Sequence, residues 1–173
     1  MSEAGFSSPT EQLLVRAEAI CAARGARLTA LRRDVLGLIL DAKTPAGAYD
    51  LLDRLRRTRG SAAPPTVYRA LDFLCAQGLV HRVERLAAFV GCVAQADPAA
   101  SAPAPHPHAH AAQFLICRRC GRAIELDDPE LARALAAAAV RRGFAVSAAT
   151  IEAEGVCAAC AGAAAEPESV PCP

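Results

Sequence analysis

Tryptophan is absent from this 173-residue sequence, and the other aromatic residues number only seven, five phenylalanines and two tyrosines. Hydrophobic residues make up 53% of the chain, but many are alanines, which bury little area each, so a large aromatic core is excluded. No apolar stretch is long and strong enough to span a membrane. The first residues, MSEAGFSSPTEQLL, lack the basic start and the apolar segment of a signal peptide. A cytoplasmic protein with no membrane partner is therefore expected.

The eight cysteines are interpreted against that reducing compartment. In the cytoplasm, spaced cysteine pairs are more often metal ligands or redox groups than structural disulfides.

Charge is also unevenly distributed, although the net charge is only +1. Residues 1–85 carry 13 Lys and Arg against nine Asp and Glu, whereas residues 86–173 carry six against nine. A basic front half suits contact with phosphates, although the asymmetry alone is weak support.

The front half has the pattern of a winged helix-turn-helix. Ser8, Pro9 and Glu11 fit the N-cap, first-turn proline and reciprocal carboxylate of a capping box. Helical spacing of apolar residues predicts four helices, located up to Gly25, after Thr29, over about 48–57 and over about 66–77. The segments LVHRVE and AAFVGCV then alternate in part and predict an antiparallel hairpin. In such an arrangement the last helix enters the major groove and the hairpin lies beside it.

Residues 94–112 are rich in alanine and proline and predict a hinge linker, because this composition cannot form a core. The predicted front domain is therefore 1–93. The rear domain, 113–160, has a strand–strand–helix–strand pattern, and 161–173 forms a tail. The whole is an α+β protein whose rear α/β unit is too small to be stable alone, so metal and dimerisation are expected to help it.

Two Cys-x-x-Cys pairs lie in the rear domain: Cys117, Cys120, Cys157 and Cys160. Two intervening residues let both sulfurs of a turn converge on one ion, and a second turn completes the tetrahedron that zinc accepts as a closed structural site. The alternative is a pair of redox dithiols, which would define a thiol redox protein. Paired turns of this kind favour zinc.

A second, mixed site is also indicated. His81 and Cys92 fall on the hairpin before the linker, and Glu125 falls on a strand after it. Three histidines alternate at the end of the linker: His106, His108 and His110. Four of these six could bind one metal, and a set that contains a thiolate favours zinc over iron(II) or manganese. Such a metal would fix the angle between the two domains and act as a switch.

Several blocks of the sequence resemble the ferric uptake regulator family. They are RLTALRRDVL, AYDLLDRLR, PPTVYRALDFLCAQGLVHRVE, FLICRRCG and IEAEGVCAAC, and the similarity covers roughly residues 10–160. The segments PPTVYRALDFL and GLVHRVE are most similar to the zinc uptake regulator branch. Two departures are LTALR in place of the usual LTPQR and a longer segment before His110, which leaves His106 and His108 as substitutes or as an auxiliary zinc site.

The resemblance implies particular roles for several residues. The regulatory zinc site is implied to consist of His81, Cys92, His110 and Glu125, with His110 chosen because it stands seven residues before Cys117. The implied operator contacts are Tyr49, Thr66, Tyr68 and Arg69. An arginine suits bidentate recognition of guanine, while Thr66 and Tyr68 suit phosphates or thymine methyl groups. Val67 is expected to pack inside, and the arginines of residues 54–59 to form a solvated or phosphate-facing patch.

The sequence therefore predicts a zinc-responsive repressor that binds palindromic double-stranded DNA as a homodimer and controls zinc uptake genes. Two zinc ions per chain are expected, one structural and one regulatory. No set of catalytic residues is evident, so neither an enzyme nor a small-molecule substrate is expected. The alternatives are a family member that senses iron, manganese or peroxide, and the thiol redox protein.

Overall fold

The computed structural model describes residues 5–60, 62–92, 112–126, 128–147 and 149–162. Helices and strands form two units, a front unit of residues 5–92 and a rear unit of residues 112–162. In chain order the elements are α1 (Ser8–Ala23), α2 (Ala30–Leu40), β1 (Ala46–Gly47), α3 (Ala48–Arg59), α4 (Pro64–Ala76), β2 (Val80–Val83), β3 (Ala88–Gly91), β4 (Ala112–Cys117), β5 (Ala123–Leu126), α5 (Pro129–Val140), β6 (Thr150–Gly155) and α6 (Ala158–Gly162). Among the described residues, no helix has the length and apolar character needed to cross a membrane.

Helix α1 begins one residue earlier than the capping-box pattern predicts. Its N-cap is Ser7, whose hydroxyl accepts a hydrogen bond from the backbone N–H of Thr10. Glu11 does not act as the reciprocal carboxylate, because its side chain pairs with Arg33 of α2. The assignment of Ser8 as the N-cap was therefore wrong. The side chain of Glu11 forms an ion pair between α1 and α2 instead.

The front unit has one hydrophobic core formed by the four helices. Each helix contributes a stripe of leucine, isoleucine or valine at helical spacing, such as Leu51, Leu52 and Leu55 of α3, which are at most 3% exposed. Burial of an aliphatic side chain contributes about 1.5–3 kcal/mol, so this largely aliphatic core, which includes the buried Phe89, stabilises the unit. The sequence prediction of four helices is confirmed, with α4 starting at Pro64 instead of Thr66.

The wing, residues 80–91, is an antiparallel hairpin of β2 and β3 in which His81 lies opposite Val90. A short 3-10 helix, Glu84–Leu86, connects the two strands. The two-residue strand β1, which the sequence did not predict, pairs with β3 and gives the front sheet the order β1-β3-β2. This is the winged arrangement that the sequence predicts.

The rear unit is a three-stranded sheet of order β5-β4-β6, with β4 antiparallel to β5 and parallel to β6. Strand β4 begins at Ala112, the last residue of the predicted linker. Helix α5 starts at an Asp128 N-cap, whose carboxylate accepts hydrogen bonds from the N–H groups of Glu130 and Leu131. No residue of α5 is buried in the single chain.

One face of the rear sheet packs against the wing. Val83 of β2 forms a buried cluster with Ala112, Phe114 and Ile116 of β4. The side chain of Leu115, which points to the other face of the sheet, is 44% exposed. The rear sheet is thus held against the front unit by alternate residues of its central strand.

Candidate metal centres and nucleic-acid interface

The four predicted cysteines of the rear unit converge at one end of the sheet. Cys117 ends β4 and lies opposite Gly155 of β6, two residues before Cys157, so the parallel pairing brings the two Cys-x-x-Cys turns together. The four Sγ atoms lie within 4.8 Å of one another, and those of Cys120 and Cys157 are 3.9 Å apart. A zinc–sulfur bond of about 2.3 Å gives a thiolate tetrahedron with edges of about 3.8 Å. The spacing therefore fits a closed tetrathiolate site.

The electrostatics of this cluster also favour a cation. The backbone N–H of Cys157 donates to the Cys117 sulfur at 3.3 Å, and this lowers the pKa of Cys117 to about 6. Hydrogen bonding to Cys157 raises the pKa of Cys160 instead, to about 12. Only part of the cluster can ionise by itself, since neighbouring thiolates repel one another. A divalent cation would hold all four as thiolates.

A second cluster lies where the wing meets the rear sheet. His81 comes from β2, Cys92 follows β3 and Glu125 comes from β5, and one ligand atom from each lies within 4.8 Å of the others. The Glu125 Oε1 atom is 3.6 Å from His81 Nε2 and 3.3 Å from Cys92 Sγ. The exposed fractions are 4% for the His81 side chain, 13% for that of Glu125 and 2% for Cys92. An imidazole, a thiol and a carboxylate thus form one largely buried cluster.

The backbone positions these three groups. Pairing with Val90 fixes His81 on the hairpin, and the His81 ring meets Phe114 edge-on, with centroids 6.0 Å apart. The Cys92 N–H donates to the Leu79 carbonyl at 2.9 Å, which extends the hairpin by one bond. Glu125 lies opposite Phe114 in the rear sheet. Rigid strands therefore supply three of the four predicted donors, and the three linker histidines, His106, His108 and His110, lie outside the described residues.

The first turns of α4 present the predicted DNA-contacting side chains to solvent. Thr66 and Arg69 are exposed and Tyr68 is 44% exposed, whereas Val67 is 1% exposed and belongs to the core. Tyr49, near the start of α3, is 72% exposed. The expectation that Val67 packs inside is confirmed. The other four side chains are available to a partner, as the N-terminal part of a recognition helix requires.

Arg56, Arg57 and Arg59 of α3 are exposed and Arg54 is partly buried, and three of these four side chains also make contacts within the front unit. Arg59 pairs with Asp34 of α2, which is 3% exposed, and Arg54 donates to the Leu38 carbonyl at 3.2 Å. Arg56 donates to the Ala62 carbonyl at 3.2 Å. These contacts attach α3 to α2 and to the loop after α3, and the charge of Arg59 is paired with that of Asp34.

Sequence reasoning missed the polar contacts between the wing and β6. The Glu152 carboxylate accepts the N–H groups of Glu84 at 2.7 Å and Arg85 at 3.0 Å. The Arg85 guanidinium donates to Glu154 Oε2 at 2.8 and 3.1 Å. The spacing of Glu152 and Glu154 places both side chains on one face of a strand, and this spacing was the sequence signal that could have indicated a polar contact. The sequence does not show what lies opposite that face.

Two further cysteines of the front unit lie outside both metal-ligand clusters. Cys21 is fully buried in α1, and burial raises its pKa. Burial likewise raises the pKa of Cys75 in α4 to about 11. Cys21 belongs to the hydrophobic core and Cys75 packs against it, so both serve as small core residues. Cys172 lies outside the described residues.

Comparison with known proteins agrees with this geometry. The model of the ferric uptake regulator family matches residues 23–154. The zinc uptake regulation protein of Escherichia coli (strain K12) is 42% identical over 151 residues, which cover 87% of this chain and 82% of that protein. The protein of the same name from Mycobacterium tuberculosis (strain CDC 1551 / Oshkosh) is 30% identical over 138 residues, 80% of this chain and 97% of its own.

Two solved structures are similar over nearly the same span. A zinc uptake regulator complexed with zinc and DNA is 40% identical, covers 92% of this chain and 99% of its own, and superposes with a TM-score of 0.80. Holo XcZur is 44% identical, covers 87% and 98%, and superposes with a TM-score of 0.73. The fold class predicted from the sequence is confirmed by these likenesses, and the chain belongs to the ferric uptake regulator family.

Proposed function

We propose that this protein is a zinc-responsive transcriptional repressor, which binds palindromic double-stranded DNA as a homodimer and controls zinc uptake genes in the cytoplasm. The observation that carries the proposal is the cluster of His81, Cys92 and Glu125, because its donors come from both units. Relatives named as zinc uptake regulation proteins, and a relative solved with zinc and DNA, support the choice of ion and partner. A family of regulators also supports a binding protein over an enzyme.

The regulatory site is assigned to His81, Cys92, Glu125 and His110. A ligand set that contains a soft thiolate and an imidazole suits zinc, whereas iron(II) and manganese prefer harder ligands. Burial of the set excludes competing water and favours a four-coordinate ion. His110 is the proposed fourth ligand, and His106 and His108 are its substitutes or the donors of an auxiliary site.

The structural site is assigned to Cys117, Cys120, Cys157 and Cys160. A bound zinc would supply the positive charge that lets four neighbouring thiolates coexist. The residues themselves join the end of β4 to the segment after β6, so occupancy of the site holds the outer parallel strand in register. Two zinc ions per chain are therefore proposed.

The switch follows from the division of the regulatory ligands between two units. His81 and Cys92 move with the wing, and Glu125 moves with the rear sheet, so the ligands converge only when the two units are closed on each other. An ion that binds the closed arrangement better shifts the population toward it. Closure then sets the spacing of the two α4 helices in a dimer, which must match two half-sites of a palindrome.

The DNA interface is assigned to Tyr49, Thr66, Tyr68 and Arg69. Arg69 is the proposed base reader, through a bidentate contact with guanine in the major groove. The hydroxyl groups of the other three are suited to phosphates, which fix the register of the protein on the duplex. Tight anchoring of Arg54 and Arg59 to α2 keeps those two arginines out of this set.

Dimerisation is assigned to the rear unit. Helix α5 and the turn after it expose apolar side chains, with Leu131 and Leu135 each 37%, Val140 74% and Phe144 65% exposed. Apolar surface of this kind on so small a unit indicates a partner surface, and a two-fold dimer matches a palindromic operator. The proposed division of the chain is a DNA-binding domain 1–93, a hinge 94–112, a dimerisation domain 113–160 and a tail 161–173.

The deciding experiment is fluorescence anisotropy of a labelled palindromic operator, titrated with the full-length protein in buffers of defined free zinc. Iron(II) and manganese are tested in parallel at one fixed salt concentration, since salt alone changes such affinities greatly. Tight binding that appears only with zinc is expected. Binding that ignores zinc, or that responds to iron(II) or manganese, would refute the proposal while leaving the family unchanged.

A further inference from the structure

We infer that Glu152 is a positioning residue for the metal switch, because its carboxylate attaches the wing to the edge of the rear sheet opposite the regulatory ligands. The inference rests on the proposed function and extends it. It concerns a contact between protein groups alone, so it can also be tested without the regulatory metal.

The contact joins the two units at a defined point. The Glu152 carboxylate accepts two consecutive backbone N–H groups of the short helix in the wing, from Glu84 at 2.7 Å and from Arg85 at 3.0 Å. Both donors belong to the main chain, so the bonds fix the position of the wing itself and not only of a side chain. Hydrogen bonds with a charged acceptor are roughly twice as strong as neutral ones.

The side chain of Arg85 strengthens the same attachment. Its Nε and Nη2 atoms donate to Glu154 Oε2 at 3.1 and 2.8 Å. Glu154 is two residues after Glu152 and therefore points to the same face of β6. This pair is the weaker part, because the two side chains are 59% and 40% exposed and exposed ion pairs contribute little.

The register of the rear sheet relates this attachment to the metal ligands. Glu125 on β5, Phe114 on β4 and Glu152 on β6 lie opposite one another and form a single row across the sheet. All three face the wing: Glu125 meets His81 and Cys92, Phe114 meets the His81 ring, and Glu152 meets the turn of the wing. Strand β4 lies between Glu125 and Glu152. The β5 edge of the sheet therefore carries the proposed metal ligand, and the β6 edge carries the carboxylate that binds the wing directly.

A two-edge attachment has a thermodynamic consequence for metal binding. The bonds to Glu152 can form only when the wing rests on the rear sheet, which is the arrangement that also brings the regulatory ligands together. They therefore raise the population of the closed arrangement before the regulatory ion binds, and the apparent affinity for that ion rises with this population. Loss of Glu152 should weaken the response to zinc without removing any zinc ligand or DNA contact.

The test compares Glu152→Gln with the wild type in the full-length protein that carries the structural zinc. Because glutamine keeps the size but removes the charge, the free-zinc concentration for half-maximal DNA binding should rise by about tenfold, while affinity at saturating zinc stays near wild type. Glu154→Gln should shift the midpoint in the same direction but less. Glu130→Gln is the matched control, because Glu130 is 84% exposed on α5, pairs with Arg133 of the same helix and undergoes the same charge change.

Hydrogen exchange supplies the readout that needs neither DNA nor the regulatory zinc. The amides of Glu84 and Arg85 should exchange faster in Glu152→Gln than in the wild type and be unchanged in Glu130→Gln. Exchange at the wild-type rate, or an unmoved zinc midpoint in both Glu152→Gln and Glu154→Gln, would overturn the inference. A wild type whose DNA binding ignores zinc would instead refute the proposed function, and the exchange comparison would still decide the role of Glu152.

Discussion

Glu125 and Glu152 stand at opposite edges of the rear sheet, each directly across from Phe114. One carboxylate faces the His81 and Cys92 side chains, and the other holds the backbone of the turn in the wing. Along this row the wing contacts the rear sheet through a cluster of potential metal ligands, an aromatic ring and a pair of hydrogen bonds. Substitutions in the proposed metal sites, the DNA-contacting helix, the dimer surface and the helix contacts should each change a different measurable property.

Replacement of Cys92 by serine should weaken zinc-dependent DNA binding by about tenfold or more. Loss even of an outer partner costs metal sites about tenfold, so loss of a ligand should cost at least that. Anisotropy titrations at buffered free zinc measure the change. Cys75→Ser is the control, since Cys75 undergoes the same exchange in a half-buried position outside the cluster. An unaltered zinc response of Cys92→Ser would remove Cys92 from the regulatory site.

Replacement of Cys160 by serine should lower both zinc content and thermal stability. The purified wild type should retain about one zinc per chain that withstands mild chelation, because four thiolates enclose a structural ion. Metal analysis and thermal unfolding followed by circular dichroism measure the two effects. If Cys160→Ser kept the inert zinc, the four-cysteine assignment would be wrong, and reversible disulfide cycling of the wild type would favour a redox role.

Replacement of Arg69 by alanine should weaken operator binding by about 1–3 kcal/mol and relax the sequence preference at one base pair. The side chain is exposed on α4, so the melting temperature should hardly change. Anisotropy with operators substituted at single positions measures both effects. Val67→Ala provides the contrast, because Val67 is a core residue and its truncation should lower stability. Equal loss of affinity for all operators would make Arg69 a phosphate contact.

Replacement of Leu131 by glutamate should convert the dimer into a monomer at micromolar concentration. A charge would then stand in the exposed apolar stripe of α5, where a second copy is proposed to pack. Light scattering coupled to size exclusion measures the mass. Arg133→Glu is the control, since Arg133 lies about 200° around the helix from Leu131. A dimeric Leu131→Glu protein would place the interface elsewhere.

Replacement of Asp41 by asparagine should reduce the loss of stability in acid. Desolvation alone would raise the pKa of Asp41, but hydrogen bonds from Thr10 and Ser7 outweigh it and leave the pKa lowered. A group with a lowered folded-state pKa adds stability above its unfolded value of about 3.9, and this stability disappears as pH falls through the folded value. Urea unfolding at a series of pH values should show a steeper decline below about pH 4 for the wild type than for Asp41→Asn.

The matched control is Asp53→Asn, because the Asp53 side chain is 67% exposed and its ion pair with Arg56, at 3.7 Å, is long. This variant should follow the wild-type curve in acid. Identical slopes for all three proteins would show that the contact between Ser7, Thr10 and Asp41 does not link the start of α1 to the end of α2 in solution.

Local patterns were enough to predict most of this fold. Apolar spacing found the four front helices, and the alternation around His81 found the wing, because each depends on neighbours in sequence. The N-cap was misplaced from Ser7 to Ser8, since both are serines before Pro9 and only the geometry distinguishes them. The strand β1 was missed because two residues, Ala46 and Gly47, carry no periodicity.

The site shows the same division between local and distant relationships. Paired Cys-x-x-Cys turns carry their own signal, whereas the approach of Glu125 to His81 depends on how the rear sheet packs against the wing. The family resemblance supplied that relationship, and the structure brings the described members together. Nothing in the local sequence predicts the pairing of Arg59 with the buried Asp34, because the two residues are 25 positions apart. The contacts of Glu152 with the main chain of the wing are equally unpredictable, because they span 68 residues to Glu84 and 67 to Arg85.

The parallel pairing of β4 with β6 implies an order of assembly. The register that places Phe114 opposite Glu152 also places Cys117 opposite Gly155, so both ends of the strand pair must be correct together. A newly made chain that has not yet closed its cysteine cluster would have a loosely registered β6 and an incomplete row facing the wing. If the proposed structural ion maintains this register, it should be acquired before the regulatory ion, and a chain made without zinc would have to gain the first ion before it could respond to the second.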